Sequence, residues 1–271
     1  MNTDTKHAVR AIKPWVARLA RLGYLTKGAL YIVIGFLAIG AATASGGKTA
    51  DANAAITFIS HQPFGRVLVG CVALGLAGYV MWRLIQAFID PEHEGTQLKG
   101  WLTRIGYCLS AAVYGTLCIG AIKLLRGTAE ANSPVQHLAA QGLRLPFGNE
   151  VVMVAGSAVA ALGIYSVIFG ITADFCKHLD THAMGKNQAR LLPWLGRFGY
   201  SARGVVFLII GLYLTEAGFH HNPDTARGID GAQVVVGEWS KWALYVIAAG
   251  LLSFGSFMLV EAKYNRIDLT Q

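Results

Sequence analysis

Six apolar segments, at about residues 23–42, 65–89, 105–125, 149–173, 198–218 and 242–261, limit what this chain can fold into more than any other feature. Each has roughly the 20 residues that a helix needs to cross a ~30 Å hydrocarbon layer at 1.5 Å per residue. Hydrocarbon offers no water to bond a backbone, so segments of this length predict transmembrane helices. Only 14% of the 271 residues are charged, too few to cover a soluble globule. The formal charge of +8 is carried largely by residues at the segment ends. That placement fits the positive-inside rule and excludes a nucleic-acid partner as the reason for the charge.

The flanks set an expected topology. Residues 1–22 read as a basic amphipathic lead-in, with Lys6, Arg10, Lys13, Arg18 and Arg21 beside Trp15. It suits either an anionic membrane surface or an ordinary cytoplasmic flank. No short apolar core precedes Gly23, so no cleavable leader is expected. With the amino terminus inside, thirteen Lys/Arg fall on the inner side and seven on the outer, which predicts both termini in the cytoplasm. Trp82, Trp101, Trp194, Trp239 and Trp242 sit near predicted span ends, where aromatic belts form.

The chain is also a repeat. Gly23–Tyr31, Gly106–Tyr114 and Gly199–Phe207 are versions of one phrase, each preceded by Arg21, Arg104 or Arg197. Read as helix, each copy carries a stripe of alternating rings and small residues. The stripes are Tyr24, Gly28, Tyr31 and Gly35; Tyr107, Ala111, Tyr114 and Cys118; and Tyr200, Gly204, Phe207 and Gly211. Gly156, Gly163 and Gly170 form a further stripe at a spacing of seven. Lipid gives helices no hydrophobic reason to associate, so small residues that let backbones approach are the expected contact surface. The returning helices align Tyr79, Tyr165 and Phe254, then Gln86, Thr172 and Glu261. Pro63-Phe64-Gly65 and Pro146-Phe147-Gly148 close two of the outer loops, and the third repeat lacks this motif. The expected fold is therefore all-α. Six transmembrane helices form three parallel two-helix repeats, with pseudo-threefold symmetry about the membrane normal. The units are 23–97, 98–190 and 191–266, after the lead-in 1–22 and before a cytoplasmic tail at 267–271.

Three tandem copies of Gly-Tyr-x-x-[Lys/Arg]-Gly-x-x-Tyr, each with Pro-Phe-Gly or its remnant and a return helix, resemble the bacterial membrane family numbered 1206 among domains of unknown function. The third copy fits best, through Gly199, Tyr200, Arg203, Gly204 and Glu261-Ala262-Lys263-Tyr264. The middle copy departs most, with Ser110 for the basic residue and Ala111 for the glycine. The resemblance runs from about residue 15 to 266 and implies a six-helix bacterial inner-membrane protein. It brings no substrate or activity.

Intramembrane charge is the remaining clue to function, because it is costly in hydrocarbon. Lys27, Arg83, Arg203 and Glu261 all lie toward the cytoplasmic ends of their spans. In one arrangement the Lys and Arg stems snorkel to the headgroups, with Glu261 paired to Arg203 or Lys27. In the other, Lys27, Ser110 and Arg203 form one tier about an axis, and Gln86, Thr172 and Glu261 a second. Together they would hold a small anion or an anionic headgroup. Asp174, Cys176, His178, Asp180 and His182 form a candidate metal cluster on an inner segment, and Asp90, Glu92, His93 and Glu94 a similar one, but no motif fixes a full ligand set. No metal and no cofactor is expected. The eight histidines lie outside the spans, which disfavours haem. No catalytic motif is present.

The favoured reading is a non-catalytic membrane module that contacts lipid, with a membrane-protein partner or a second copy as a further contact. A channel or transporter for a small solute along the axis is the alternative. Span interiors are almost free of the polar lining that a hydrophilic path needs.

Overall fold

The structure is a computed structural model that describes residues 3–43, 52–89, 98–128, 134–173, 175–176 and 186–264. Among these residues nine α-helices and no strand occur. They are α1 (Thr3–Thr43), α2 (Ala52–Ser60), α3 (Gly65–Ile89), α4 (Leu98–Leu125), α5 (Pro134–Leu143), α6 (Gly148–Thr172), α7 (Lys186–Phe219), α8 (Ile229–Trp239) and α9 (Lys241–Tyr264). The six long ones, α1, α3, α4, α6, α7 and α9, are each long and apolar enough to cross a membrane. The chain is a multi-pass membrane protein of three two-helix repeats. The segment before Gly23 is helical from Thr3 and runs straight into the first span.

The small-residue stripes decide how the long helices pair. A Cβ on Gly204 would sit 2.7 Å from the Gly163 carbonyl, and one on Gly211 would sit 2.3 Å from the Ala160 amide nitrogen. Backbone therefore lies against backbone along α6 and α7. Gly28 meets Gly255 in the same way between α1 and α9. In α4 the stripe carries Ala111 and Cys118 instead, and the Cys118 thiol donates to the Ala73 carbonyl of α3 at 3.4 Å. The three tightest pairs are thus α6 with α7, α1 with α9 and α3 with α4. Each joins the return helix of one repeat to the first helix of the next, with the third repeat closing back on the first. The hairpin is the unit of sequence, but the close-packed pair spans two units.

The ring is uneven. Inside repeat one α1 packs on α3, and inside repeat three α7 packs on α9, whereas α4 and α6 of repeat two have no comparable packing. The aligned rings show the same break. Tyr79 and Phe254 are wholly buried in the centre, while Tyr165 is 62% exposed on α6 and stacks on Phe169 of its own helix.

The Pro-Phe-Gly motif is a tight turn between a short outer helix and the return helix. Phe64 and Phe147 take left-handed φ of 60° and 58°. The next residue must be glycine because a Cβ on Gly65 would lie 2.1 Å from the Ser60 carbonyl oxygen, and one on Gly148 would lie 2.6 Å from that of Leu143. In the third repeat the Ser240 hydroxyl accepts from the Trp242 amide at 3.2 Å and starts α9 without that motif. Helices α2, α5 and α8 pack on the long helices beside them: α2 on α1, α3 and α4, α5 on α6 and α7, and α8 on α7 and α9. Trp101, Trp194, Trp239 and Trp242 are exposed near span ends, as an aromatic belt requires, but Trp82 is buried.

Candidate functional site

At the end of the bundle where α3, α6 and α9 finish and α4 and α7 begin, three cations meet rings in the interior. Lys27 on α1 is only 5% exposed. Its ammonium does not climb toward the headgroups. It lies 5.2 Å from the Tyr79 ring centroid, 5.4 Å from Tyr114 and 5.3 Å from Phe254. One ring comes from each of α3, α4 and α9, so the cage exists only in the assembled bundle. Lys27 also donates to the Tyr79 hydroxyl at 3.3 Å.

Arg83 on α3 shares that hydroxyl, with its Nε donating at 2.9 Å. One of its terminal nitrogens donates to Gln86 Oε1 at 2.8 Å, one turn along the helix. Its guanidinium lies 5.0 Å from both the Tyr79 and the Tyr107 ring centroids. Arg203 on α7 approaches from the other side, 4.2 Å from Phe207 and 5.0 Å from Phe254. It donates to Ser166 of α6 at 3.5 Å, and the Ser166 hydroxyl in turn donates to the Tyr200 carbonyl at 3.3 Å. The Arg203 guanidinium also faces the Tyr31 hydroxyl, and its Nε is buried with no hydrogen-bond partner among the described residues. Lys27 is within electrostatic reach of both arginines.

Edge-to-face ring contacts bind the cluster together. Tyr79 meets Tyr114 at 4.7 Å and Tyr24 at 6.1 Å, and Phe254 meets Tyr31 at 4.8 Å and Tyr200 at 5.2 Å. The ring stripes read from the sequence thus point inward, with Tyr24, Tyr31 and Tyr114 buried and Tyr107, Tyr200 and Phe207 partly so. Gly28 and Gly204 serve the neighbouring helix contacts described above.

Of the first proposed tier, Lys27 and Ser110 meet at the Tyr79 hydroxyl, while Arg203 turns to Phe207 and Ser166 and shares the Phe254 ring with Lys27. The second tier divides differently. Gln86 belongs to the Arg83 group, Thr172 is exposed and bonds the Ile168 carbonyl of its own helix at 3.0 Å, and Glu261 lies near Tyr200. Tyr79 and Ser166 are central here, yet neither stood out as a site residue. The signal for Tyr79 was its place four residues before Arg83, one helical turn away. Asp174, His178, Asp180 and His182 lie outside the described residues, as do Asp90, Glu92, His93 and Glu94. Burial raises the Cys176 thiol above its usual pKa, which opposes the thiolate a metal would take.

The contacts described above run from these cations to hydroxyls, to the Gln86 amide oxygen and to rings. Cation–π contacts return about 0.5–2 kcal/mol each, against several kcal/mol to desolvate each charge. Tyr79 carries two of the three cations, so Tyr79→Phe is expected to destabilise the protein by about 2 kcal/mol, the loss of a charge-assisted acceptor. Thermal melting in a non-ionic detergent measures it.

The sequence matches the family described as Domain of Unknown Function (DUF1206) three times, over residues 22–90, 105–173 and 198–265. The chain is 32% identical over 257 residues to "Uncharacterized protein YxxB" of Bacillus subtilis (strain 168), covering 94% of this chain and 93% of the relative. No solved structure matches. The three matched segments each hold one long-helix pair of the bundle, and the chain belongs to the DUF1206 family.

Proposed function

We propose that this protein is a non-catalytic module of the bacterial inner membrane, with both termini in the cytoplasm, and that its centre binds the anionic group of an amphiphile. The observation that supports this is the convergence of Lys27, Arg83 and Arg203 inside the span region, caged by Tyr79, Tyr114 and Phe254. Hydrocarbon penalises such a cluster, so an intramembrane charge group is a functional site by default. A bound anion would add counter-charge to this cluster and could accept from the buried Arg203 Nε. Non-catalytic binding suits a site made of cations, phenols and rings, with no nucleophile beside a base.

A solute channel is disfavoured by the packed centre. Tyr79, Leu251, Phe254 and Phe257 are at most 1% exposed and occupy the space such a path would need.

Dodecyl phosphate, added to the purified protein in a non-ionic detergent, is expected to raise the melting temperature by several degrees. Dodecylphosphocholine at the same concentration is expected to leave it unchanged. Equal shifts from both, or none from either, would reject an anion site.

A further inference from the structure

The cation cluster lies beside the one junction of the bundle where neighbouring spans are not zipped together. Arg83 reaches the Tyr107 ring of α4, and Arg203 reaches the Ser166 hydroxyl of α6. These two helices are not closely packed on each other. On α4, Gly106 and Ser110 share a face at a spacing of four, as do Leu162 and Ser166 on α6. A Cβ on Gly106 would have, among the described residues, only Leu162 near it, at 4.0 Å, where Gly163, Gly204 and Gly211 of the α6–α7 pair meet backbone below 3 Å. Repeat two departs from its siblings in sequence at this place. Ser110 stands where the others carry Lys27 and Arg203, and Ala111 where they carry Gly28 and Gly204. Tyr165, whose counterparts Tyr79 and Phe254 plug the centre, is turned out to the surface.

The geometry points to a lateral portal between α4 and α6 through which an anionic phospholipid seats its phosphate against Lys27, Arg83 and Arg203. This rests on the anion-binding reading above and adds the ligand class and its route. Gly106 and Leu162 both lie within candidate spans, Thr103–Leu125 and Gly148–Thr172, so the portal opens onto acyl chains rather than water. A water-soluble anion would have to cross hydrocarbon to enter there. A lipid of the adjoining leaflet need only sink its headgroup while its chains stay in the bilayer. Lys27 is six residues beyond Arg21, so the phosphate sinks by roughly 9 Å at 1.5 Å per residue. Three cations against phosphate give the charge complementarity, and their guanidinium and ammonium donors suit its oxygens.

The test uses the full chain in non-ionic detergent, with phosphatidylglycerol, phosphatidylcholine and inorganic phosphate as probes. Phosphatidylglycerol alone is expected to raise the melting temperature. Gly106→Trp, which fills the portal, is expected to weaken that binding at least tenfold and to leave the lipid-free melting temperature near that of the parent. Gly106→Ala is expected to bind as the parent does. Unchanged phosphatidylglycerol binding by Gly106→Trp would overturn the lateral route. Stabilisation by millimolar inorganic phosphate would overturn the lipid assignment and leave an anion site standing. Failure of phosphatidylglycerol where dodecyl phosphate succeeds would also overturn it, whereas failure of every anion would remove the functional reading beneath it. A photoreactive phosphatidylglycerol gives an independent measurement on the unmodified protein, and is expected to label α4 and α6. Label confined to the groove of about 590 Å³ at Leu191, Trp194, Arg197, Phe198 and Ser253 would overturn the portal.

Discussion

Gly211→Ala is expected to be among the most damaging single-methyl changes in this protein. The added Cβ would sit 2.3 Å from the Ala160 amide nitrogen and 2.7 Å from the Gly156 carbonyl oxygen. Both are backbone atoms of α6 and cannot rotate away, so the two helices must separate. Overpacking of this kind costs about 1–3 kcal/mol, and separating the helices also forfeits dispersion along the neighbouring contacts at Gly204 and Gly163. For a chain of this size a melting-temperature drop of roughly 5–10 °C follows, taking about 2–4 °C per kcal/mol. Gly40→Ala is the control, since nothing lies within 4 Å of its Cβ position. It is expected to be neutral or slightly stabilising, because alanine restricts the unfolded chain. Equal drops at both positions would mean that glycine matters here for something other than close helix approach.

Lys27→Met is expected to separate binding from folding. Methionine keeps the unbranched stem and removes the charge. In lipid-free detergent the variant loses three cation–π contacts and one hydrogen bond, but it also loses a buried cation that faces two arginines. Exchange of buried ionic groups for apolar ones of similar volume is often neutral or favourable. Its melting temperature without ligand is therefore expected to equal or exceed that of the parent. The gain on adding dodecyl phosphate, about 2.7 kcal/mol at a hundred times the dissociation constant for the parent, is expected to vanish. A structural lysine would give the reverse result, with a lower melting temperature from the start and an intact ligand response.

The site was partly legible. Lys27, Ser110 and Arg203 share one repeat position; Lys27 and Ser110 meet at the Tyr79 hydroxyl, while Arg203 reaches Lys27 only through the shared Phe254 ring. The second tier was misleading for Thr172, because the equivalence of Gln86, Thr172 and Glu261 assumed that α6 enters the bundle as α3 and α9 do. Snorkelling was the ordinary expectation for Lys27, since its stem is long enough to reach the headgroups. Three rings from three other helices hold it inside instead, and sequence separation hides such a cage.

Hydropathy and spacing alone determined that this chain crosses a membrane six times, in three repeats whose helices bear stripes of rings and small residues. Those properties are local: span length, helical period and the need to bond every backbone group in hydrocarbon are all set within some twenty residues. The partner of each stripe was decided only by the tertiary structure. Glycines allow close approach without naming the helix that approaches, so the pairing of each return helix with the next repeat, and the gap at α4 and α6, emerged from the competition of all six helices for the same contacts.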